Sequence, residues 1–400
     1  MRNNNRLRRP ACLLLAGVLP AAVALGPGAG SAQASAGVVM IAASNAASGS
    51  TGLYYEWEAN GATTWNKELV AAGFWTSPAM TVQSNGNVLI ASVDYDTGTL
   101  YFFWQGYQTT TWHEEQVSAP GAAAQGQPSM AVQKIMSPGQ PAYVAIAMQD
   151  YETEGSGEQP AFTYYYQQIG GTVWNSESLP GGYDGQTTPD LAVGPNNTMV
   201  AVFDPGIISD SASGFFLDEQ PYLSNTWSSI HVGTGFTENQ PQVEVQSSGN
   251  IIVADTIGTE GHVQGTEFYW SPADDIDSWY GESVSSTMGA VDEQGVSMAD
   301  DPAAERIAIT GGFSGKCIPD ATEPYGGPTW TSGQIGCPGT YSGNPSIAAQ
   351  ADGNLVAADS GPSGQAYFYW AASGTDTWHT ETLPGLAFVY GEIAIDSYTP

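Results

Sequence analysis

Short segments that alternate apolar and polar residues recur along the chain and predict β-strands with one buried face. Six of them share an apolar residue at their third position: PAMTVQ (78–83), PSMAVQ (128–133), PDLAVG (189–194), PQVEVQ (241–246), VSMADD (296–301) and PSIAAQ (345–350). In several repeats a turn dipeptide follows, and then a more continuous apolar strand, as in NGNVLIAS from residue 85. Asn-Gly, Ser-Gly and Asp-Gly favour tight hairpins, so each pair of segments predicts two adjacent antiparallel strands.

One tryptophan marks each unit of a longer internal repeat. Seven of them recur at spacings of 47 to 62 residues: Trp65, Trp112, Trp174, Trp227, Trp279, Trp330 and Trp378. A strand rich in Tyr and Phe precedes most of them, such as TLYFFW (99–104) and QAYFYW (365–370). Each unit therefore contains four short strands in roughly 50 residues, which is typical of one blade of a β-propeller.

The two ends of the chain predict how the ring closes. The segment from residue 37 supplies three strands of a blade and lacks the innermost one, while GEIAID (391–396) matches that missing strand. We therefore predict an all-β fold, a single seven-bladed β-propeller over residues 37–400, closed by pairing of the C-terminal strand with the N-terminal blade. Eight blades or a double sandwich would need another repeat or a linker, and the sequence contains neither.

The first 36 residues predict a secretory signal peptide that is removed. They combine a basic start, an apolar stretch from Ala11 and small residues near Ala34. We expect an extracellular protein. Cys12 is lost with the signal peptide, and Cys317 and Cys337 remain as an even pair, so we predict one disulfide between them.

Charge excludes several classes of partner. Only 12% of residues are charged, and removal of the signal peptide leaves four bases against 40 acidic residues, a formal net charge of −36. Nucleic acid and anionic membranes are bound by clustered Lys and Arg, so neither is an expected partner. A sialidase is excluded because it needs several arginines around the carboxylate of sialic acid, and Arg306 is the only arginine after residue 36. No cofactor is indicated, although the many carboxylates permit calcium binding.

The repeat also resembles a known family. The frame PSIAAQADGNL (345–355), followed by QAYFYW and TWHTETLPG (377–385), resembles the tandem-repeat β-propeller lectins of the tectonin-like and fucose-binding kind. The resemblance covers the chain after residue 36 at the level of pattern, and it implies sugar binding. This chain lacks the second tryptophan that those lectins carry soon after the blade tryptophan, so we transfer no site residue.

Glutamates take the place of that second tryptophan, three residues after five of the blade tryptophans: Glu68, Glu115, Glu177, Glu282 and Glu381. We expect them to be solvated charges on the outermost strand that prevent edge-to-edge pairing. A second set of tryptophans ends the aromatic strands: Trp57, Trp104, Trp270 and Trp370. These rings either stack on sugars or pack between blades, and the sequence favours packing.

The candidate sugar sites combine a carboxylate with an aromatic ring at the blade junctions. The acids end the continuous apolar strands: Asp94, Asp150, Asp204, Asp255 and Asp359. The rings lie in the loops between successive blades: Trp75, Tyr183, Phe236, Tyr341 and Tyr390. In a propeller these two sets share one rim, where rings cover C–H faces and carboxylates accept hydroxyl hydrogens. The alternative is that the acids cap turns and the rings fill wedges between blades.

The fifth complete repeat breaks the pattern and brings Lys316, Arg306 and both cysteines together in sequence. The four histidines have no metal-ligand spacing. We therefore expect a secreted, multivalent carbohydrate-binding protein with glycan partners rather than an enzyme. The alternatives are a polysaccharide-cleaving enzyme with a carboxylate pair in one deep pocket, and a protein-interaction scaffold with an exposed apolar patch.

Overall fold

The computed structural model describes residues 38–398 with gaps. The gaps are 46–50, 60–61, 63, 120–126, 138, 151–160, 181–187, 205–213, 234–235, 238–240, 260–261, 274, 285–287, 289–294, 313–316, 328, 340–344, 362–363 and 387–392. The chain divides into two units, Met1–Ala34 and Ser35–Pro400, and every described residue belongs to the second. The predicted signal peptide lies outside the described residues.

The described residues form antiparallel sheets arranged as seven blades, numbered here along the chain. Blade 1 consists of β29 (Ala394–Tyr398), β1 (Val38–Asn45), β2 (Gly52–Ala59) and β3 (Asn66–Ala72). Blade 2 consists of β4 (Ala79–Val82), β5 (Val88–Asp94), β6 (Thr99–Gln105) and β7 (Trp112–Gln116). Blade 3 consists of β8 (Ser129–Val132), β9 (Tyr143–Asp150), β10 (Ala161–Gln168) and β11 (Asn175–Ser178). Blade 4 consists of β12 (Asp190–Val193), β13 (Met199–Phe203), β14 (Phe215–Gln220) and β15 (Ser228–Val232).

The remaining blades follow the same order from the innermost to the outermost strand. Blade 5 consists of β17 (Gln242–Val245), β18 (Ile251–Thr259), β19 (His262–Ser271) and β20 (Tyr280–Ser283), with a short extra strand β16 (Phe236–Thr237) beside β18. Blade 6 consists of β21 (Val296–Asp301), β22 (Arg306–Gly311), β23 (Ile318–Pro324) and β24 (Thr331–Gly336). Blade 7 consists of β25 (Ser346–Ala349), β26 (Leu355–Ser360), β27 (Ala366–Ala371) and β28 (Trp378–Thr382).

The ring closes in the way that the sequences of the two chain termini predicted. Strand β29 pairs antiparallel with β1, with Ile395 opposite Ile41 and Ser397 opposite Val39. The innermost strands contact one another around a complete circle, in the order β4, β8, β12, β17, β21, β25 and β29. The seven-bladed propeller is therefore confirmed.

The continuous apolar strands form because each is covered on both sides by a neighbouring blade. On β5, Leu89 and Val93 pack towards blade 3, while Ile90 packs towards blade 1. Seven buried clusters of this kind occupy the seven junctions in the described residues. Strands buried on both faces lose the alternation of a half-exposed strand, as the sequence of NGNVLIAS shows.

Side-chain oxygens of the innermost strands connect neighbouring blades. In three blades the polar residue just before the shared apolar position accepts a backbone N–H from the next blade, and on β29 the residue just after the equivalent position, Asp396, does so. These bonds are Leu191 N to Ser129 Oγ (3.0 Å), Val243 N to Asp190 Oδ2 (2.8 Å), Ile347 N to Ser297 Oγ (3.1 Å) and Val82 N to Asp396 Oδ2 (3.0 Å). The strand edges that line the central axis are therefore hydrogen-bonded to one another through these side chains.

Blade 7 is held to both neighbours by the rare cations. Arg306 of blade 6 pairs with Asp301 at 2.9 Å and donates to the carbonyl of Gly353 in blade 7 at 3.4 Å. Lys67 of blade 1 donates to the carbonyl of Gly385, in the segment after β28, at 2.6 Å. The predicted disulfide between Cys317 and Cys337 is present, and it joins the start of β23 to the end of β24.

Candidate ligand-binding site

The outer part of each blade junction is built around the recurring glutamate. Oε2 of Glu68 in blade 1 accepts a hydrogen bond from Gln105 Nε2 at 2.7 Å and one from Trp112 Nε1 at 3.1 Å, both from blade 2. Glu115 repeats this with Gln167 at 2.8 Å and Trp174 at 3.1 Å. The expectation of solvated edge charges is therefore wrong for these residues. A half-buried carboxylate that accepts two bonds across a junction connects the blades instead.

The same arrangement recurs further round the ring. Glu177 accepts from Trp227 at 3.3 Å and from Gln220 at 3.4 Å, and Glu381 accepts from Trp65 at 3.4 Å. A signal for it exists in three repeats of the sequence, because a glutamine near the end of the aromatic strand (Gln105, Gln167 or Gln220) accompanies the glutamate of the preceding blade. The bond could not be predicted from one repeat, since its donors and its acceptor belong to different repeats.

A cavity of about 410 Å³ opens at the junction of blades 2 and 3, next to Glu115. Its apolar side is formed by five residues: Leu89, Phe102, Trp104, Val144 and Ile169. Its polar side is formed by six others: Gln83, Asn85, Asn87, Glu115, Gln167 and Thr172. This combination of one aromatic wall and several amide and carboxylate groups is what sugar recognition requires.

The polar groups of this cavity are fixed by hydrogen bonds. Asn87 donates from Nδ2 to Gln83 Oε1 at 3.0 Å, and its Oδ1 accepts the backbone N–H of Tyr107 at 3.0 Å. Gly86, at the centre of the turn, has a φ of 84° that favours glycine, as the Asn-Gly dipeptide predicted. The cavity wall is therefore preorganised, which lowers the entropy cost of binding.

Trp104 forms the aromatic wall and is itself held in place. Its half-buried ring stacks on the exposed ring of His113, with centroids 3.9 Å apart and planes inclined by 15°. Trp370 and His379 in blade 7 form the same stack at 4.0 Å, and Trp270 stacks on Tyr280 at 4.4 Å. These three tryptophans therefore pack against a neighbouring ring and remain partly exposed to solvent.

The five predicted aspartates do not share one position. Asp94 and Asp150 end their strands, opposite Thr99 and Ala161. Asp255 and Asp359 lie two register positions further in, opposite Glu267 and Tyr367. The side chains of Asp255 and Asp359 are fully buried, and Asp204 is 2% exposed. The sequence contains this difference, because Asp94 follows Asn87 by seven residues, whereas Asp255 follows Asn250 by five.

The predicted aromatics can be placed in part. Trp75 forms a β-bridge with Asp94, so this predicted pair does meet. Its ring is 7% exposed and packs edge-on against Phe103, while Asp94 Oδ1 accepts the N–H of Asp96. At this junction the acid caps its turn and the ring fills the wedge. Phe236 lies on β16, and three others lie outside the described residues: Tyr183, Tyr341 and Tyr390.

A second cavity, of about 430 Å³, follows the central axis and is lined by the innermost strands. Glu244, Asp190, Asp300 and Asp396 make its lining acidic. Burial, followed by the charges of the three aspartates, raises the pKa of Glu244 to about 8. Burial also raises the pKa values of Asp190 and Asp396 to about 6, against the opposing effect of the hydrogen bonds they accept.

Within the described residues, no group of three or more His, Cys, Asp or Glu side chains is placed to hold a metal ion. The same residues include no helix long and apolar enough to cross a bilayer.

No protein-family model matches this sequence, and no curated protein sequence matches it. Solved structures do match the fold. The BP39L lectin of Burkholderia pseudomallei is 14% identical, with 88% of this chain and 96% of that chain covered and a TM-score of 0.64. The likeness shows the fold.

The Aleuria aurantia lectin is similar as well. Its structure, described as a six-bladed β-propeller with a novel fucose recognition mode, is 13% identical, covers 78% of this chain and 96% of that chain, and has a TM-score of 0.52. A variant bound to Fucα1-6GlcNAc is 12% identical, with coverages of 77% and 96% and a TM-score of 0.51. The resemblance to propeller lectins drawn from the sequence is therefore confirmed for the fold, with seven blades in this chain.

Proposed function

We propose that this protein is a secreted, multivalent carbohydrate-binding β-propeller and that the cavity between blades 2 and 3 is a sugar site. The cavity carries the proposal, because it combines the Trp104 wall with fixed amide groups and the Glu115 carboxylate. The Trp104 ring and the amide groups can contact the C–H and hydroxyl groups of an uncharged sugar, so a neutral glycan is the expected ligand.

The lectins that share the fold support this assignment. Structures of a variant of the Aleuria aurantia lectin were determined with Fucα1-6GlcNAc and with α-methyl-L-fucoside. We therefore propose fucose-containing glycans as the first ligand class to test. Multivalency would follow if the stacked Trp370 and Trp270 serve other junctions, since several weak sites on one ring raise avidity on a glycan surface.

The rim sites predicted from the sequence are a second proposed location on the opposite face. Asp94 is the informative residue among the five aspartates, because its side chain is half-buried whereas those of Asp204, Asp255 and Asp359 are buried. Asp94→Asn would lower binding only if this rim contacts the glycan.

The test is a glycan array probed with residues 37–400, with calcium and again with chelator, followed by calorimetry with α-methyl-L-fucoside. Trp104→Ala is expected to weaken binding about tenfold or more, because ring stacking and its buried area are lost. Tyr107→Ala is the matched control, since it removes an aromatic ring that is 41% exposed in the same blade and does not line the cavity.

Loss of binding in Trp104→Ala with retention in Tyr107→Ala supports the site. Loss of binding on chelation alone would assign the binding to a calcium-dependent site elsewhere and contradict the cavity. No binding to any glycan would contradict the proposal as a whole and favour the enzyme or scaffold alternatives.

A further inference from the structure

The junction of blades 4 and 5 departs from the glutamate arrangement of its neighbours. Ile230 stands three residues after Trp227, where other blades carry the glutamate. Trp279 of blade 5 donates its indole N–H to the carbonyl of Ile276 at 2.7 Å, within its own blade. In the described residues this junction therefore has an apolar outer part, where Ile230 and Trp279 pack against the core, in place of the glutamate bridge.

A cavity of about 360 Å³ lies at this junction, lined in part by Gly233, Glu267, Tyr269, Trp279 and Gly281. Gly233 has a φ of 94°, which favours glycine. A Cβ on Gly281 would lie 3.1 Å from the Tyr269 ring. Glycine at these two positions lets the Tyr269 ring form one wall of the cavity.

The Glu267 carboxyl group lines this cavity, and a second carboxyl group lies beside it on the neighbouring strand. Glu267 accepts a hydrogen bond from the Tyr269 hydroxyl at 2.7 Å. Asp255 lies directly opposite Glu267 on the neighbouring strand, is fully buried, and accepts no well-formed hydrogen bond on either side-chain oxygen. Burial, and then the charge of Asp204 in blade 4, raise the pKa of Asp255 well above its usual range.

No cation of the described chain neutralises these acids. Lys67, Lys134 and Arg306 belong to blade 1, the segment after β8, and blade 6. Glu267 lines the cavity without a described lysine or arginine beside it, so a ligand that brings a positive charge and N–H donors would be attracted to its carboxylate. The rings of Trp279 and Tyr269 would attract an organic cation and cover the C–H face of a sugar.

We infer that the cavity between blades 4 and 5 binds a sugar that carries a protonated primary amine. Glu267 receives the ammonium group, and Trp279 packs against the sugar ring. The inference rests on the proposed function only in taking a sugar as the ligand. It differs from the blade 2/3 cavity in requiring a charged one.

The experiment is calorimetry of residues 37–400 with the glucosamine dimer and with its N-acetylated form at about pH 6, where a primary amine is protonated. The amine dimer is expected to bind about tenfold or more tightly than the acetylated dimer, and less tightly as salt is raised. Glu267→Gln is expected to weaken binding about tenfold. Glu114→Gln removes an exposed acid of blade 2 and is the matched control for general charge attraction.

Equal binding of the two dimers would overturn the inference, as would unchanged binding in Glu267→Gln when circular dichroism shows it folded. Equal losses in Glu267→Gln and Glu114→Gln would also overturn it, because they would show attraction to overall charge. The two proposals can fail separately. Selection of the amine dimer by a protein that binds no neutral glycan would retain this site and contradict the blade 2/3 site.

Discussion

At the scale of single residues, acidic residues at adjacent positions of the outermost strands perform different tasks according to their neighbours. Glu68 and Glu114 both lie on outermost strands, yet only Glu68 accepts bonds from the next blade. The sequence showed that a glutamate recurs after five of the seven blade tryptophans, but a charged residue on an edge strand is most often solvated. Its partners are 37 and 44 residues away in the chain, so the pattern within one repeat could not reveal them.

We predict that Glu68→Ala destabilises the protein by about 2–3 kcal/mol, because the buried amide of Gln105 and the indole N–H of Trp112 lose a charged acceptor. The measurement is urea denaturation followed by tryptophan fluorescence. Glu114→Ala, on an exposed part of β7, should change the stability by less than about 0.5 kcal/mol. Equal effects of the two substitutions would show that Glu68 is an edge charge after all.

At the scale of the strands, two junctions carry a second glutamate where three others carry glutamine. Glu58 ends its aromatic strand at the position of Gln105 and acts electrostatically on Glu381 of blade 7. Glu323 of blade 6 lies at the corresponding position and interacts electrostatically with Glu282 of blade 5. Burial first, and then the neighbouring glutamate, raise the pKa of each to about 7. The lone Trp330 N–H at the second of these junctions finds no acceptor in the described residues.

We predict that the protein loses stability as the pH rises from about 4.5 to about 7. A carboxyl group with a raised pKa in the folded state holds its proton there while the unfolded chain releases it, so rising pH favours unfolding. Glu58→Gln should be more stable than the wild type by about 1–2 kcal/mol at pH 8, allowing for solvent screening, and should equal it near pH 4.5. The measurement is the urea midpoint across this pH range.

Glu114→Gln is the control, because it removes one negative charge from the same highly acidic chain without touching a junction. If it gains as much stability at pH 8 as Glu58→Gln, the effect comes from net charge, and the Glu58 and Glu381 pair is not its source.

At the scale of the whole molecule, the sequence predicts the ring and its closure well and the sites poorly. Tryptophan spacing and apolar patterning repeat in every blade, and the GEIAID segment has one place left to pair, so the seven blades follow from local pattern. A site depends on residues that two neighbouring blades bring together, such as Trp104 with Gln167. The aspartates show the limit, because a shift of two residues along a strand converts Asp255 from a predicted rim group into a buried one.

The closing strand offers the sharpest test of the whole fold. Without β29, the innermost edge of β1 is unpaired, Val82 N loses the Asp396 carboxylate, and the buried contacts of Ile393 and Ile395 are lost. A chain that ends at residue 390 should therefore unfold at a much lower urea concentration, with a loss of about 3 kcal/mol or more. Because the ring is completed by pairing alone, a synthetic peptide of residues 391–400 should restore the midpoint in a concentration-dependent manner, whereas a scrambled peptide should not. An unchanged midpoint in the shortened chain would mean that the other junctions hold the ring without its last strand.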